Sequence, residues 1–302
     1  MTASTLRIGI IGLDSSHAPA FTGLLHDEHH PYHVPGGSVT HAYPGGSDDF
    51  EMSYSRIEGF TQKVRDEYGV AIVSSPEEVA ENCDAILLTA VDGRAHLELF
   101  RRIAPYGKPV FIDKPMTVSS ADAAAIIEIA ARYRVPIMSC SSLRYAEELT
   151  SALQDATHGD VIGMDCYGPM ALQATQPGLF WYGVHTVEML YRTLGRGCEK
   201  VVAQVTEEHD VVTGIWKNGT IGTIRGNRRG NNQFGALLHR EKNSQFVDVY
   251  NHPKPYYASL LEVIMHMFHT GEQGIDPAET LEIIRFMEAA NLSREIGEPV
   301  YL

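Results

Sequence analysis

The chain has 302 residues, 44% hydrophobic and 21% charged, an ordinary composition for a folded protein and enough length for two cores. A formal net charge of −14 and a pI near 5.4 argue against nucleic acid or an anionic membrane as partner, since both need basic surface. No apolar run approaches the ~18 residues of a bilayer span.

The N-terminus moves directly into Ile8-Gly9-Ile10-Ile11-Gly12, and Asp14 interrupts before a signal-peptide core could form. Cys83, Cys140, Cys166 and Cys198 are widely spaced with no CxxC pair. Reduced, partly buried thiols in a cytoplasmic protein are expected.

Along the chain, the first half alternates strand and helix. Strands are predicted at 6–11, 38–43, 72–73, 85–89, 110–113 and 136–140. Helices are predicted from about Ser16, with Pro19 in the first turn, then at 54–68 up to Gly69, at 94–105 and at 120–133. This alternation implies right-handed crossovers and a parallel sheet. After a helix at 145–156 come β-rich runs at 163–167, 200–205, 211–216, 220–225, 235–239 and 245–250. Lys217-Asn218-Gly219-Thr220 supplies a hairpin turn between two of them. One helix, 181–194, interrupts this mostly antiparallel sheet; helices at 257–270 and 277–296 and a short strand close the chain. The expected fold is α/β: a Rossmann domain over 1–143 and an α/β domain with a large, mainly antiparallel sheet over 144–302.

The most informative segment is Val110-Phe111-Ile112-Asp113-Lys114-Pro115. An apolar strand stops at a proline, which cannot donate to the ladder, and Lys114 passes beyond the strand's carboxyl end. In an open parallel sheet that region is the ligand crevice. Lys114 is then a phosphate contact, an ion-pair partner of Asp113 or an acid/base group. The turn after the first strand sits where a Rossmann domain carries Gly-x-Gly-x-x-Gly, with Gly12 first, Asp14 in place of the second glycine and His17 in place of the third. A carboxylate about 4 Å from a pyrophosphate would cost on the order of 4 kcal/mol at an effective dielectric near 20, unless Asp14 turns away or pairs. Ser15, Ser16 and the helix amides could hold the anion. After the second strand, Asp48 and Asp49 come late for a ribose-gripping acid, and Gly45-Gly46 could accept a 2′-phosphate, so NAD and NADP both stay open.

Two groupings carry less. His26, Asp27, Glu28, His29, His30 and His33 match no ligand spacing, Pro31 and Pro35 break the segment, and a solvated loop is expected with no metal. Arg225, Arg228, Arg229 and Arg240 read as solvated edge strands, or as a clamp for a substrate carboxylate. Gly183-Val184-His185 opens a helix with Glu188 one turn below; a histidine there can act as a neutral base or acceptor.

Together these residues resemble the Gfo/Idh/MocA family of glucose–fructose oxidoreductase and inositol dehydrogenase. Ile8–Gly12 is similar to its first strand and His96 to a histidine after its fourth. Asp113-Lys114-Pro115 is similar to its Glu-Lys-Pro, Ser142-Leu143-Arg144-Tyr145 to its domain junction, and Gly183-Val184-His185 to its glycine-x-histidine. The resemblance implies NAD- or NADP-dependent oxidation or reduction of a sugar or polyol, with the nicotinamide between the two domains. It implies Gly12, Asp14, Ser15, Ser16, His17, Asp92, His96, Asp113 and Lys114 on the cofactor side. It also implies a lysine, an aspartate and a histidine at the substrate. Lys114 and His185 match, while Trp181 occupies the aspartate position, leaving Tyr145 or Tyr182 as substitutes.

The expected function is an oxidoreductase acting on a sugar-like small molecule, self-associating through the C-terminal sheet. Two alternatives stand beside it: a lyase, hydrolase or epimerase using a retained NAD, and a nucleotide-free sugar-binding or regulatory protein.

Overall fold

The computed structural model describes residues 5–302, which form two compact units. The first contains the chain up to Thr117, Ala121–Cys140 and Tyr257–Pro277. Its strands are β1 (Leu6–Ile11), β2 (Gly37–Tyr43), β3 (Ala71–Ile72), β4 (Ala85–Leu88), β5 (Val110–Ile112) and β6 (Ile137–Ser139). Its helices are α1 (His17–His26), α2 (Glu51–Tyr54), α3 (Ile57–Tyr68), α4 (Pro76–Asn82), α5 (His96–Ile103) and α6 (Ser120–Tyr133).

All six strands are parallel, in the order β3-β2-β1-β4-β5-β6. This is the doubly wound Rossmann order, with its switch point at the carboxyl ends of β1 and β4. Every residue of β4 and β5 is buried, as strands covered on both faces must be; hence their unbroken apolar sequences. Two local differences from the sequence reading have plain causes. The helix expected at 54–68 is two, α2 and α3, parted at 55–56, and Gly69 ends α3 at φ 70°. Helix α4 was not anticipated, although Ser75 caps it by accepting the Glu78 N–H and Pro76 opens its first turn, a signature written in the sequence.

The second unit contains Ser141–Tyr256, Ala278–Leu302 and Val118–Ser120. It carries α7 (Glu147–Gln154), β7 (Val161–Pro169), α8 (Gly183–Leu194), β8 (Cys198–Val205), β9 (His209–Trp216), β10 (Ile221–Asn227), β11 (Gly235–Arg240) and β12 (Ser244–Asp248). Helix α9 (Tyr256–Thr270) then lies almost wholly in the first unit, so the chain does not divide by a single cut near 143. Helix α10 (Pro277–Ile296) and β13 (Val300–Tyr301) complete the second unit.

Its seven strands run β12-β11-β7-β10-β9-β8-β13. All pairs are antiparallel except β7 with β10. The Asn-Gly turn forms as read: Gly219 sits at φ 86° and Trp216 N donates to Thr220 O at 2.9 Å. Helices α8 and α10 cover one sheet face through Tyr191, Phe286 and Trp216, with ring centroids 5.7–6.4 Å apart. Among the described residues no helix is long and apolar enough to cross a membrane.

Candidate active site

In the first unit the strand ends converge on the loop after β1. Gly12 is held at φ 96°, and a Cβ there would lie 2.3 Å from the Ala90 nitrogen; only glycine lets β1 and the end of β4 approach this closely. Asp14 resolves the expected repulsion by turning inward. It is 1% exposed, and its carboxylate accepts Ser53 Oγ–H at 2.6 Å and Val91 N–H at 3.0 Å. Burial raises its pKa, with those two hydrogen bonds opposing.

His17 does not leave a gap at the third glycine position either. Its Nδ1 lies 2.8 Å from Asp113 Oδ2, both side chains are buried, and the imidazole packs edge-on against Tyr257 at 4.8 Å. Ser15 Oγ donates weakly to the same carboxylate at 3.5 Å, and Lys114 N donates to Asp113 Oδ1 at 2.8 Å. Burial by itself would push Asp113 up, but His17 and Lys114 hold it at about 2. The backbone of Lys114 is therefore anchored from both sides of β5. The Lys114–Pro115 peptide is cis, and His96 reaches the carbonyls of Pro115 and Met116 through Nδ1 and that of Ala90 through Nε2, at 3.1, 3.0 and 2.7 Å. His96 thus fastens the ends of β4 and β5 together. Ser16 precedes α1 with no side-chain cap bond.

A trio closes the other side. Arg94 holds Asp92 and Asp49 at once, each at 2.7 Å, and both carboxylates raise its already high pKa. Beside it a cavity of about 180 Å3 is lined by Asp14, Tyr43, Gly46, Ser47, Ala90 and Leu99, between the ends of β2 and β4. These residues fit part of a dinucleotide: Asp14 is turned inward, and glycine, alanine and tyrosine walls leave space beside the loop, with Glu98 the other carboxylate in the lining.

In the second unit α8 presents His185. Ser141 Oγ lies 2.7 Å from its Nδ1, and Tyr182 and Phe234 pack edge-on against the ring at 5.7 and 5.4 Å. Trp181 is buried and packs edge-on against Tyr182 at 5.8 Å. Tyr145 lies under the Arg192 guanidinium at 5.7 Å. One turn deeper, Arg144 pairs with Glu188 at 3.1 Å and with Glu279. Burial pushes Glu188 up to about 7 against the pull of Arg144, because one guanidinium faces two carboxylates.

Each of the two lesser groupings departs from expectation in part; residues 27–33 lie in the expected, largely exposed loop. His26 is not a solvated loop residue; it accepts the Val39 N–H at 3.0 Å and meets Ser38 Oγ at 3.2 Å, tying α1 to β2. Of the four arginines, Arg225 and Arg229 are exposed as expected, and Arg228 and Arg240 are not. Arg240 is buried and donates to Ala152 O and to Gly159 O, and Arg228 pairs with buried Asp210 at 2.8 Å. Arg229 alone of these three pairs at the surface, with Glu208. Sequence reasoning missed Ser141, Ser53 and the Arg94–Asp49 pair. Ser53 and Asp49 lie 39 and 45 residues from their partners with no local spacing to reveal them, whereas Ser141 directly precedes the Ser142–Tyr145 turn and caps it.

The first unit is thus a Rossmann-type nucleotide fold with a lysine at the carboxyl end of a central strand. Residues 6–140 match the model of Gfo/Idh/MocA, an oxidoreductase family with an NAD-binding Rossmann fold, the family that the sequence motifs resemble. Solved structures are similar over the whole length. Scyllo-inositol dehydrogenase from Lactobacillus casei, crystallised with NAD(H) and scyllo-inositol, is 12% identical with a TM-score of 0.82, covering 99% of both chains. Myo-inositol 2-dehydrogenase from Lactobacillus plantarum is 15% identical at 0.81, covering 99% of this chain and 100% of that one. A probable dehydrogenase from Thermotoga maritima is 19% identical at 0.77, covering 98% and 99%. At such identities the likeness establishes the fold. No curated protein matches the chain.

Proposed function

We propose that the protein is an NAD-dependent oxidoreductase acting on a sugar, polyol or related hydroxylated small molecule, with Lys114 as the group that takes the substrate hydroxyl proton. The observation that carries this reading is the anchoring of Lys114 beyond β5 by Asp113, itself held by His17 and Ser15. A positioned acid–base group needs such an anchor. Bound NAD would supply hydride transfer; Gly12, Ser15, Ser16 and the ends of β2 and β4 would hold it. His185, Tyr182 and Tyr145 of the second unit would bind and orient the substrate. Their assignment to one substrate with Lys114 comes from the family resemblance.

NAD is favoured over NADP by the charge of the trio at the adenosine side. Arg94 is shared by Asp49 and Asp92, so the trio carries net −1, which opposes a 2′-phosphate dianion. Self-association through the open face of the seven-stranded sheet belongs to the same reading, supported by Phe246 and Ile221 exposed there, 61% and 51%. So does a cytoplasmic location, supported by four buried cysteines outside any disulfide.

The test is reduction of NAD, followed by nicotinamide absorbance, against a panel of inositols, aldoses and polyols. Turnover of one of them that is lost in Lys114→Ala supports the assignment. No turnover with any panel member, in either redox direction, would refute it.

A further inference from the structure

Ser141 is the first residue of the second unit's main segment and is fully buried. Its Oγ has two neighbours. The Leu143 N–H donates to it at 3.1 Å, and His185 Nδ1 lies at 2.7 Å. Among the described residues no other polar atom is within hydrogen-bonding reach of that hydroxyl. A serine hydroxyl has one proton to give and two lone pairs to offer. An amide N–H cannot accept that proton, so Nδ1 is its one available acceptor.

We infer that Ser141 donates to Nδ1 of His185 and thereby sets the neutral imidazole in the tautomer with its proton on Nε2. A buried hydroxyl without an acceptor is unfavourable, so the opposite tautomer, with Nδ1–H pointed at Ser141 Oγ, would strand the serine proton. The two edge-on rings, Tyr182 and Phe234, keep the imidazole plane from rotating away from this partner. The peptide segment itself is held: Ser141 caps the 142–145 turn, and its backbone also bonds to Glu188. Serine position and ring position are therefore determined by separate contacts.

The chemical consequence concerns the reaction proposed above, on which this part of the inference rests. With the proton on Nε2, His185 is a donor at that nitrogen rather than an acceptor. It can hold a hydroxyl or carbonyl oxygen by donating to it, but it cannot receive a proton at Nε2. The substrate proton must go elsewhere, and the proposed function assigns it to Lys114. Ser141 is thus a positioning residue that separates the two roles left open for Lys114 and His185 by the sequence.

The experiment is long-range 1H–15N correlation NMR of the 15N-histidine-labelled full chain above neutral pH, with the His185 signals assigned by their loss in His185→Gln. The expected result is a lone-pair shift at Nδ1 and a protonated shift at Nε2. Ser141→Ala should lose that pattern and average both tautomers, while Ser141→Thr, which keeps the hydroxyl, should restore it. A protonated Nδ1 in the wild type overturns the inference, whatever the activity and even if neither variant folds. An Nε2–H tautomer in a protein without dehydrogenase activity would uphold the Ser141 assignment and refute the proposed function alone.

Discussion

The loop after β1 and the start of α8 both depart from the pattern that the sequence resemblance implies, and they absorb the departure in opposite ways. In the loop, each replaced glycine brings a polar side chain with its own buried partner: Asp14 takes Ser53 and Val91, and His17 takes Asp113. At α8, Trp181 stands where the sequence resemblance implies a carboxylate, and the carboxylates of that region lie a turn deeper, around Arg144. His185 Nδ1 meets a neutral serine. A substitution at a closely packed sheet edge must be satisfied where it stands, since a buried charge without a partner is untenable. A substitution that replaces a carboxylate by an indole creates no such debt, and the change falls on the chemistry.

The contrast is broken or sharpened first at Lys114. Lys114→Ala should lower turnover about 10²–10⁴-fold, the range for a positioned proton acceptor, with the unfolding midpoint in urea almost unmoved. His185→Ala should cost less and act mainly on KM. A larger loss in His185→Ala would exchange their roles.

Next comes the deep ion cluster. Arg144→Met should destabilise the chain by about 3 kcal/mol at pH 8, the lower end for a broken buried pair, because Glu279 is partly exposed. Urea denaturation at fixed pH measures this, and a loss under ~1 kcal/mol would show that the cluster is not what holds α8.

Glu188 then gives a signed pH effect. Its carboxyl is raised from 4.5 to about 7, so the folded state holds a proton that the unfolded state has released. Its contribution is fully present below about pH 4.5 and is lost as pH climbs through 7, to a total of about 3 kcal/mol. In Glu188→Gln that component of the stability slope should vanish between pH 4.5 and 7.

The smallest effect is at the Arg94 trio. Asp49→Asn makes the Arg94 trio neutral and should raise NADP affinity roughly tenfold relative to NAD, about 1.4 kcal/mol. Competitive titration of the two dinucleotides reads this directly, and an unchanged ratio would remove Arg94 from cofactor choice.

Much of this molecule was legible beforehand. Unbroken apolar strands, the glycine at φ 96° and the Asp-Lys-Pro step carry the Rossmann half, because each is a local consequence of a covered parallel sheet. The Asn-Gly turn registers β9 on β10 for the same reason. What stayed hidden was where polar side chains find partners. Nothing near Asp14 announces Ser53, and nothing near Arg94 announces Asp49, since both pairings are made by the path of the segment after β2. The return of Tyr257–Pro277 to the first unit is equally non-local: α9 has the periodicity of any amphipathic helix, and Tyr257 gives no sign that it packs on His17.

The central claim is that a glycine loop with two replaced positions still holds a dinucleotide because Asp14 is turned inward and His17 packs against Asp113. Calorimetric titration of NAD into the wild type and Asp14→Gly tests it most directly. The account predicts binding by the wild type and weaker binding by Asp14→Gly, which loses the ties to Ser53 and Val91. No binding by the wild type, or tighter binding when Asp14 is removed, would contradict it.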